Sequence, residues 1–456
     1  MTTTSVGPPI TPTRLPSDKP GAEKLFAAGR AGACVGAVAL ITMLAFEALA
    51  VAAAMPAVAT ALKGLELYAL AFGGPLAASV PGMVLAGRWC DQHGALRPTF
   101  AGMALFAVGL LVAGMATDMR VLVAGRVLQG LGGGMLGVTL YVGMAQVVPA
   151  ALHPRLFGLF ATAWVVPGLV GPTLAAWLVL HAGWRWVFLA VLLVLPLAAL
   201  LLVPAYARLK PHARTAGAVA TRPSPVGYAL FAAAGALLMH GAAGQRWWVL
   251  ATGLVAAVGA AFKLLPRGSL HAARGLPAVI GLRGLLAASF ATAEVFLPLL
   301  LTRDLGWSLM HAGWALSTGA IFWSLGSAVQ ARISQPMSRQ RGLRAGFLGV
   351  ALGIAVVGLA LSLQLHAALL VAGWACAGLG MGLAFPMLSV LTLKLSPPDE
   401  QGRNASALQL ADALTTTAAL ALAGLLVVHV QAAPLVLGLA VLLATLGALS
   451  TQRITR

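Results

Sequence analysis

Long runs of apolar residues, separated by short polar segments, make up most of the chain. Each run is about 20 residues long or longer, which is the length that a helix needs to cross a hydrocarbon core of roughly 30 Å. The short alternating segments that indicate a transmembrane β-barrel do not occur in the sequence. The pattern therefore predicts an all-α polytopic membrane protein. Its fourteen predicted transmembrane spans lie at about 32–60, 67–89, 98–117, 120–148, 155–180, 185–207, 225–243, 247–265, 278–302, 307–331, 345–364, 367–394, 404–429 and 433–451.

One segment of the chain occurs twice, with its copies 248 residues apart. Residues 122–134 read LVAGRVLQGLGGG, and residues 370–382 read LVAGWACAGLGMG. Together with the span pattern, the repeat predicts two six-helix bundles in parallel order, separated by two extra central helices. Arg126 in the first copy is replaced by Trp374 in the second. This difference indicates a function that is specific to the first half.

The same pattern predicts four regions along the chain. A polar, proline-rich segment at 1–30 is expected to be a disordered cytoplasmic tail. The N-terminal six-helix bundle occupies 31–207 and the C-terminal six-helix bundle occupies 276–452. Between them lies a linker region at 208–275, whose two extra transmembrane helices fall at about 225–265.

The positive charge of the chain follows its predicted topology. The net charge is +18, although only 9% of the residues are charged. When loops are assigned alternately to the two sides, and Arg283 and other residues near span ends are counted with the adjacent loop, the side with both termini holds 23 Lys and Arg, and the other side holds five. With Arg126 inside a span, these account for all 29. Because Lys and Arg accumulate in cytoplasmic loops, we expect both termini in the cytoplasm and a location in a bacterial cytoplasmic (inner) membrane.

Two ionisable residues lie inside spans of the first half, where a charge is costly and marks a candidate site. Glu47 is near the middle of span one, and Arg126 is in span four. Burial disfavours the charged form of a carboxyl group, so Glu47 can serve in proton coupling or in pairing with a cationic substrate. The alternative is a structural partner for Arg126 or for a hydroxyl group.

Three ionisable residues lie inside spans of the second half. Glu294 falls one residue from the repeat equivalent of Glu47, since the offset of 248 leads to position 295. Arg283 is eleven residues earlier, about three helical turns, which places it on the same face as Glu294; it can also extend to the cytoplasmic surface. Asp412 can pair with a nearby base or cap a bend. Glu294 and Asp412 are further candidates for proton coupling or substrate contact.

Two segments of the first half combine glycine or proline with a possible function in gating. Residues 87–97 read GRWCDQHGALR, and residues 167–172 read PGLVGP. Topology alone explains the arginines of the first segment, but not its acid and second glycine. The prolines of the second segment remove helix hydrogen bonds and predict a hinge or a simple kink. The candidates are Gly87, Arg88, Asp91, Gly94 and Arg97 in a cytoplasmic gating loop, and Pro167, Gly168, Gly171 and Pro172 in a hinge.

The sequence shows no spacing typical of a cofactor or metal site. The histidines and the three cysteines lie far apart, and neither a phosphate-binding loop nor a nucleophile elbow occurs. We therefore expect no catalytic residues, no cofactor and no metal, and a coupling ion that is H⁺ rather than ATP hydrolysis as the energy source. A membrane-embedded enzyme would need a cluster of His, Asp or Cys that the sequence lacks.

Together these segments resemble the major facilitator superfamily, and specifically its fourteen-helix drug:proton antiporter branch. GRWCDQHGALRP is similar to the family's loop motif between spans two and three. RVLQGLGGG, with Arg126, Gln129 and Gly130, is similar to the span-four motif associated with proton transfer. GLVGP is similar to the antiporter motif of span five, and WRWVF at 184–188 is typical of the same branch.

The chain departs from the family pattern at three places. Ala175 and Ala176 occupy positions where the antiporter motif usually continues into paired glycines. The acid of span one is Glu47, where many relatives carry Asp. The loop ISQPMSRQRGLR of the second half keeps Gly342 and its arginines but lacks the acid.

The resemblance implies a proton-coupled antiporter that exports amphipathic or cationic small molecules by alternating access. Glu47 and Arg126 would form the coupling pair, the gating loop would latch the cytoplasmic side, and the hinge segment would shape the motion. The expected partners are a small-molecule substrate and membrane lipids, without nucleic acid, and we expect a monomer. Two alternatives stay open: transport of one dedicated metabolite or lipid in either direction, and a non-transporting membrane sensor or scaffold.

Overall fold

The computed structural model describes residues 25–27, 30–149, 152–209, 225–241, 247–332, 336–397, 400–430 and 433–454. Helices account for nearly all of these residues and no strand occurs among them, which confirms the predicted all-α class. The predicted tail at 1–30 and the segment before the first extra helix lie largely outside the described residues. The helices are α1 (Ala31–Ala61), α2 (Tyr68–His93), α3 (Leu96–Gly114), α4 (Met119–Val147), α5 (His153–Thr162), α6 (Val165–His181), α7 (Arg185–Tyr206), α8 (Pro225–Gly241), α9 (Trp247–Leu264), α10 (Leu276–Arg303), α11 (Leu309–Ala331), α12 (Pro336–Ser362), α13 (Ala367–Leu395), α14 (Gln401–Val430) and α15 (Ala433–Ser450).

Many of these helices have the dimensions of membrane spans. In the described part of the chain, ten helices are long and apolar enough to cross a bilayer, and three shorter apolar helices lie at Val165–His181, Val226–Met239 and Ala251–Leu264. The chain is therefore a multi-pass membrane protein. The count of fourteen spans stays a prediction, because length and composition identify ten.

The segment predicted as one span at 155–180 is interrupted in the structure. Helix α5 ends at Thr162, and α6 begins at Val165. Pro167 gives the physical reason, since it has no amide hydrogen to donate to the carbonyl of Ala163 and its ring crowds that carbonyl. The helix resumes where the amide of Gly168 donates to the carbonyl of Trp164. The interruption lies just before the predicted hinge or kink, and whether α5 and α6 together form one span stays a prediction.

The repeated segment packs in the same way in both halves. In the first half α4 packs against α2 and α3, and in the second half α13 packs against α11 and α12. A Cβ atom at Gly130 would collide with the backbone of Pro75 on α2, and one at the equivalent Gly378 would collide with the backbone of Gly319 on α11. These glycines are needed for close approach of the helices, as small residues are in other membrane bundles.

The two halves meet along two seams. Helix α6 packs against α11, where the Thr173 hydroxyl lies 3.4 Å from the Ser317 hydroxyl. Helix α2 packs against α14 and lies beside α10, where the Tyr68 hydroxyl donates to the carbonyl of Val295 at 2.9 Å. Helix α1 also contacts α10. Of the helices that carry candidate ionisable residues, α1, α10 and α14 therefore lie at the boundary between the halves.

The two extra helices pack against both halves. Helix α8 contacts α9, α2 and α14. Ala229 and Ala232 of α8 share one apolar cluster with Val80 of α2, Ile280 of α10 and Ala411 of α14. The pair α8 and α9 thus joins the α2 side of the first half to the α10 and α14 side of the second.

A cleft opens at one end of the bundle. Its volume is about 1610 Å³, and the connections between α1 and α2, α3 and α4, and α10 and α11 form its rim. Glu66, Arg120 and Asp304 are among its polar lining residues. In the predicted topology these connections lie on the side opposite to the termini.

Candidate functional site

The buried polar centre of the first half is an ion pair between Glu47 on α1 and Arg126 on α4. Glu47 is 7% exposed and Arg126 is 5% exposed. One guanidinium nitrogen, Nη1, donates to Oε1 of Glu47 and also to Oε1 of Gln129 at 2.8 Å. The Nε of Arg126 donates to the carbonyl of Ala71 on α2 at 3.1 Å. Arg126 therefore joins α4 to both α1 and α2.

A proline in α2 explains why the carbonyl of Ala71 is available. In a regular helix this carbonyl would accept the amide hydrogen of residue 75, but Pro75 has none. The backbone of Gly130 approaches Pro75 closely, one turn of α4 beyond Arg126. The close helix packing thus brings the guanidinium to a backbone acceptor that the helix itself leaves unsatisfied.

Gln129 completes this centre and leaves one polar atom without a partner. Its carbonyl oxygen accepts from Arg126, whereas its side-chain Nε2 is buried and has no hydrogen-bond partner among the described residues. Unsatisfied buried donors are rare in folded proteins and call for a physical explanation. A donor next to a buried ion pair can bind a water molecule or a polar group of a substrate.

The second half has a buried ion pair on different helices. Arg283 on α10 donates from Nε to both carboxylate oxygens of Asp412 on α14, each at 3.0 Å. Its Nη1 donates to the Ser389 hydroxyl at 2.8 Å and to the carbonyl of Phe385 at 3.1 Å, both on α13. Arg283 is therefore buried in a three-helix contact and does not extend to the surface.

Glu294 is the candidate acid that no basic residue neutralises. It lies on α10, and its side chain is partly exposed. Arg283 occupies the same face of α10 but pairs with Asp412 instead. Among the described residues, Glu294 makes neither a hydrogen bond nor an ion pair through its side chain.

An aromatic cluster surrounds the position that replaces Arg126 in the second half. The Trp374 ring stacks on Phe290 with centroids 4.9 Å apart. Trp323 contacts both Phe290 and Phe385 edge-on, each at 5.4 Å. The Arg283 guanidinium lies 3.2 Å from the centroid of Phe385, so the cluster continues into the ion pair. Sequence analysis missed Phe290, Trp323 and Phe385; the only signal was the presence of tryptophan in the repeat.

The predicted gating loop forms the turn between α2 and α3. Gly94 has a φ of 75°, a backbone conformation that favours glycine, and its amide donates to the carbonyl of Cys90 at 2.9 Å. Asp91 and Arg97 are exposed, and within the described ranges neither makes a hydrogen bond or an ion pair. Arg88, also exposed, and Gly87 lie in the last turns of α2. The structure brings the loop residues to one end of α2 without forming a latch among them.

The predicted hinge residues lie at the start of α6, between α1 and α11. Pro167, Gly168, Gly171 and Pro172 are all buried. A Cβ atom at Gly168 would lie 3.0 Å from the Cβ of Ala320 on α11, and one at Gly171 would lie 3.6 Å from the Phe46 ring on α1. A Cβ at Gly313 of α11 would lie 2.9 Å from the carbonyl oxygen of Pro172. The segment is therefore part of a seam between the two halves.

Comparison with known proteins identifies the family. The family model of the Major Facilitator Superfamily matches residues 35–224 and 279–453. The chain belongs to this superfamily. Its members are membrane transporters that need no cofactor, so this chain is a transporter and not an enzyme. The interruption between the matched segments coincides with α8 and α9.

Individual relatives agree with this assignment. A probable multidrug-efflux transporter of Mycobacterium tuberculosis (strain ATCC 25618 / H37Rv) is 28% identical over 399 residues, which cover 82% of this chain and 82% of the relative. The multidrug efflux pump SdrM of Staphylococcus aureus (strain N315) is 25% identical over 159 residues, which cover 34% of each chain.

Solved structures show the same fold. The D-xylose-proton symporter has a TM-score of 0.68 at 14% identity, and the match covers 93% of this chain and 98% of the symporter. The POT family transporter PepTSo has a TM-score of 0.69 at 14% identity, with 92% and 97% of the two chains covered. At this level of identity, the likeness concerns the fold alone.

Proposed function

We propose that this transporter is a proton-coupled antiporter that exports amphipathic or cationic small molecules across a bacterial cytoplasmic membrane by alternating access. In this proposal the chain has fourteen spans and both termini in the cytoplasm, and the bundles at 31–207 and 276–452 move relative to each other. The names of two relatives, which are called multidrug-efflux proteins, support the drug-efflux part of the proposal.

The observation that carries the proposal is the buried contact of Glu47 and Arg126. A carboxylate and a guanidinium taken out of water together are stable only while they pair, and removal of one partner costs about 3–5 kcal/mol. A proton on Glu47 cancels its charge and breaks the ion pair, which leaves the positive charge of Arg126 with neutral acceptors only. Protonation of Glu47 is thereby linked to the contact between α1 and α4.

The gating loop and the hinge segment have supporting roles in this mechanism. Asp91, Gly94 and Arg97 lie at the end of α2 that the predicted topology places in the cytoplasm. They are free to form contacts across that side in a second conformation. The hinge residues pack between α1 and α11, so a change in the position of α1 is transmitted directly to the seam between the halves.

Proteoliposomes that contain a pH-sensitive dye test the proposal. Aromatic cations and neutral drugs are added to wild-type protein under an imposed proton gradient, and proton movement is recorded together with the movement of each compound. We expect compound-dependent proton movement in the wild type, its loss in Glu47→Gln, and its retention in Glu66→Gln, a matched change at an exposed acid. Compound movement without proton movement in the wild type would contradict antiport. Movement of a single metabolite or lipid alone would favour a dedicated transporter.

A further inference from the structure

The ionisable residues inside the helices leave one negative charge without a partner. Five Asp, Glu or Arg residues are buried or partly buried inside the predicted spans of the described part of the chain. Glu47 pairs with Arg126, and Asp412 pairs with Arg283. Glu294 is the fifth. The described interior therefore carries one uncompensated carboxylate.

The helices around α10 provide no counter-charge for Glu294. Helix α10 packs against α1, α11, α12, α13, α14 and α15. The ionisable residues that these neighbours place in the interior are Glu47 on α1 and Asp412 on α14, both of which are acids already bound to an arginine. A carboxylate in a water-poor site is costly unless a positive charge or a proton balances it. No described residue supplies that positive charge, so the counter-charge is left to a ligand or a proton.

A proline adds a second acceptor at the same position. Pro298 has no amide hydrogen to donate to the carbonyl of Glu294, four residues earlier in α10. A backbone carbonyl without its helix donor attracts positive charge, as the carboxylate of the same residue does. Both acceptors, the carboxylate and the backbone carbonyl oxygen, lie in the part of α10 that follows Phe290.

Aromatic rings lie one helical turn from this carboxylate. Phe290 and Glu294 are four residues apart, so they share a face of α10. Phe290 contacts Trp323 on α11 and Trp374 on α13. The rings of Trp323 and Phe385 are partly exposed, whereas Phe290 and Trp374 are buried behind them. The Nε1 of Trp374 is also buried without a hydrogen-bond partner among the described residues.

We propose that Glu294 and the rings of Phe290, Trp323 and Phe385 form a binding site for an aromatic monovalent cation. This site, the second-half cation site, rests on the proposed function and names the cargo that the function requires. Aromatic faces attract cations and stack on flat apolar groups, and the attraction is stronger away from water. A single unpaired carboxylate balances one positive charge. A dication would leave its second charge unbalanced in the same site.

The second-half cation site gives the ion pair of the first half a role in cargo release. A proton on Glu47 removes the negative charge that neutralises Arg126. The positive charge of Arg126 then repels a bound monocation, and the repulsion is stronger in the low-dielectric interior than it would be in water. Linkage makes the effect reciprocal, so bound cargo favours release of the proton from Glu47.

Equilibrium binding to the full chain in detergent tests the site without any need for transport. The probes are ethidium, a flat aromatic monocation, and propidium, which has the same ring system and a second positive charge. We expect wild-type protein to bind ethidium at least about tenfold more tightly than propidium, a difference of 1.4 kcal/mol. Glu294→Gln should weaken ethidium binding by at least about tenfold, whereas Glu294→Asp and Glu66→Gln should retain it.

Several results would overturn the second-half cation site. One is ethidium affinity that is unchanged in Glu294→Gln; another is equal affinity for the two probes; a third is no binding of ethidium to wild-type protein. Thermal unfolding of each variant separates loss of the site from loss of the fold. Failure of the proposed function would give a different result. Ethidium would then bind through Glu294, but it would cross the proteoliposome membrane without proton movement.

Discussion

The two halves of the transporter share their helix packing but differ in their buried charges. In both halves a glycine of the repeat, Gly130 or Gly378, lets the repeat helix contact the backbone of its neighbour. At the position where the first half has Arg126, paired with Glu47, the second half has Trp374 in an aromatic cluster. The ion pair of the second half lies elsewhere, on α10 and α14.

The contrast shows which properties the repeat preserves. Backbone contacts depend on small residues at fixed spacing, so the same glycines are required in both halves. Buried charges are not required for that packing, because Trp374 takes the place of Arg126 on the repeat helix and the arginine of the second half, Arg283, lies on α10. We infer that the first half handles the proton and the second half handles the charge of the cargo.

Loss of a buried arginine is expected to have the largest effect, and a larger one in the first half. Arg126→Met leaves Glu47 buried without its partner, which costs about 3–5 kcal/mol. Arg283→Met costs less, since the side chain of Asp412 is 23% exposed and water can solvate it. Thermal unfolding in detergent should show lower midpoints for both variants and the greater drop for Arg126→Met. An equal drop in the unfolding midpoint of the two variants would contradict the prediction that the first-half ion pair is the more costly one to break.

The shared packing makes a prediction that is the same for both halves. Gly130→Ala and Gly378→Ala each place a methyl group against a neighbouring backbone, which is expected to cost about 1–3 kcal/mol of stability. Gly137→Ala is the control on the same helix, because no heavy atom of a neighbour lies within 4 Å of its Cβ position. The unfolding midpoint should fall for the first two variants only. A drop in one half alone would show that the halves do not pack alike.

Two proline variants compare backbone carbonyls that lack a helix donor because a proline lies four residues later. Pro75→Ala gives the carbonyl of Ala71 a backbone donor that competes with Arg126. We expect the hydrogen bond between Arg126 and this carbonyl to weaken by about 1 kcal/mol, and the rate of proton movement to fall roughly fivefold. Pro386→Ala acts on the carbonyl of Gly382, which accepts from the Ser327 hydroxyl at 3.3 Å. It should leave proton movement in proteoliposomes unchanged. Equal effects of the two variants would contradict the role of Ala71.

The smallest effect is expected at the tryptophan that replaces the arginine. Trp374→Phe removes a buried N–H that has no partner among the described residues and keeps an aromatic ring against Phe290. Stability should stay the same or rise by up to about 1 kcal/mol, because an unsatisfied donor is lost. A clear fall in the unfolding midpoint would mean that the indole ring stabilises the second half in a way that a phenyl ring cannot.

Sequence analysis found the charged centres more readily than their partners. Glu47 and Arg126 stand out because charges are rare in apolar spans, and the sequence also allows their pairing. The pairing of Arg283 with Asp412 was not predicted: helical spacing placed Arg283 on the face of Glu294, while its partner is 129 residues away along the chain. Contacts between distant helices depend on the packing of the whole bundle.

The aromatic cluster and the break in span five were also beyond the sequence pattern. Phe290, Trp323 and Phe385 are indistinguishable in sequence from aromatic residues that face lipid. Pro167 predicted a bend, but not that the helix would end at Thr162 and begin again at Val165. The helical class, by contrast, followed directly from the length of the apolar runs, since a helix is the simplest way to satisfy the backbone in a membrane.

Proton release on cargo binding most directly tests whether the first half binds the proton and the second half binds the charge of the cargo. Ethidium is added to purified protein in weakly buffered detergent solution, and the pH is recorded at starting values from 5 to 8. We expect the wild type to release protons when it binds ethidium, Glu47→Gln to bind ethidium without proton release, and Glu294→Gln to do neither. Undiminished proton release in Glu47→Gln, or binding with release in Glu294→Gln, would contradict the account.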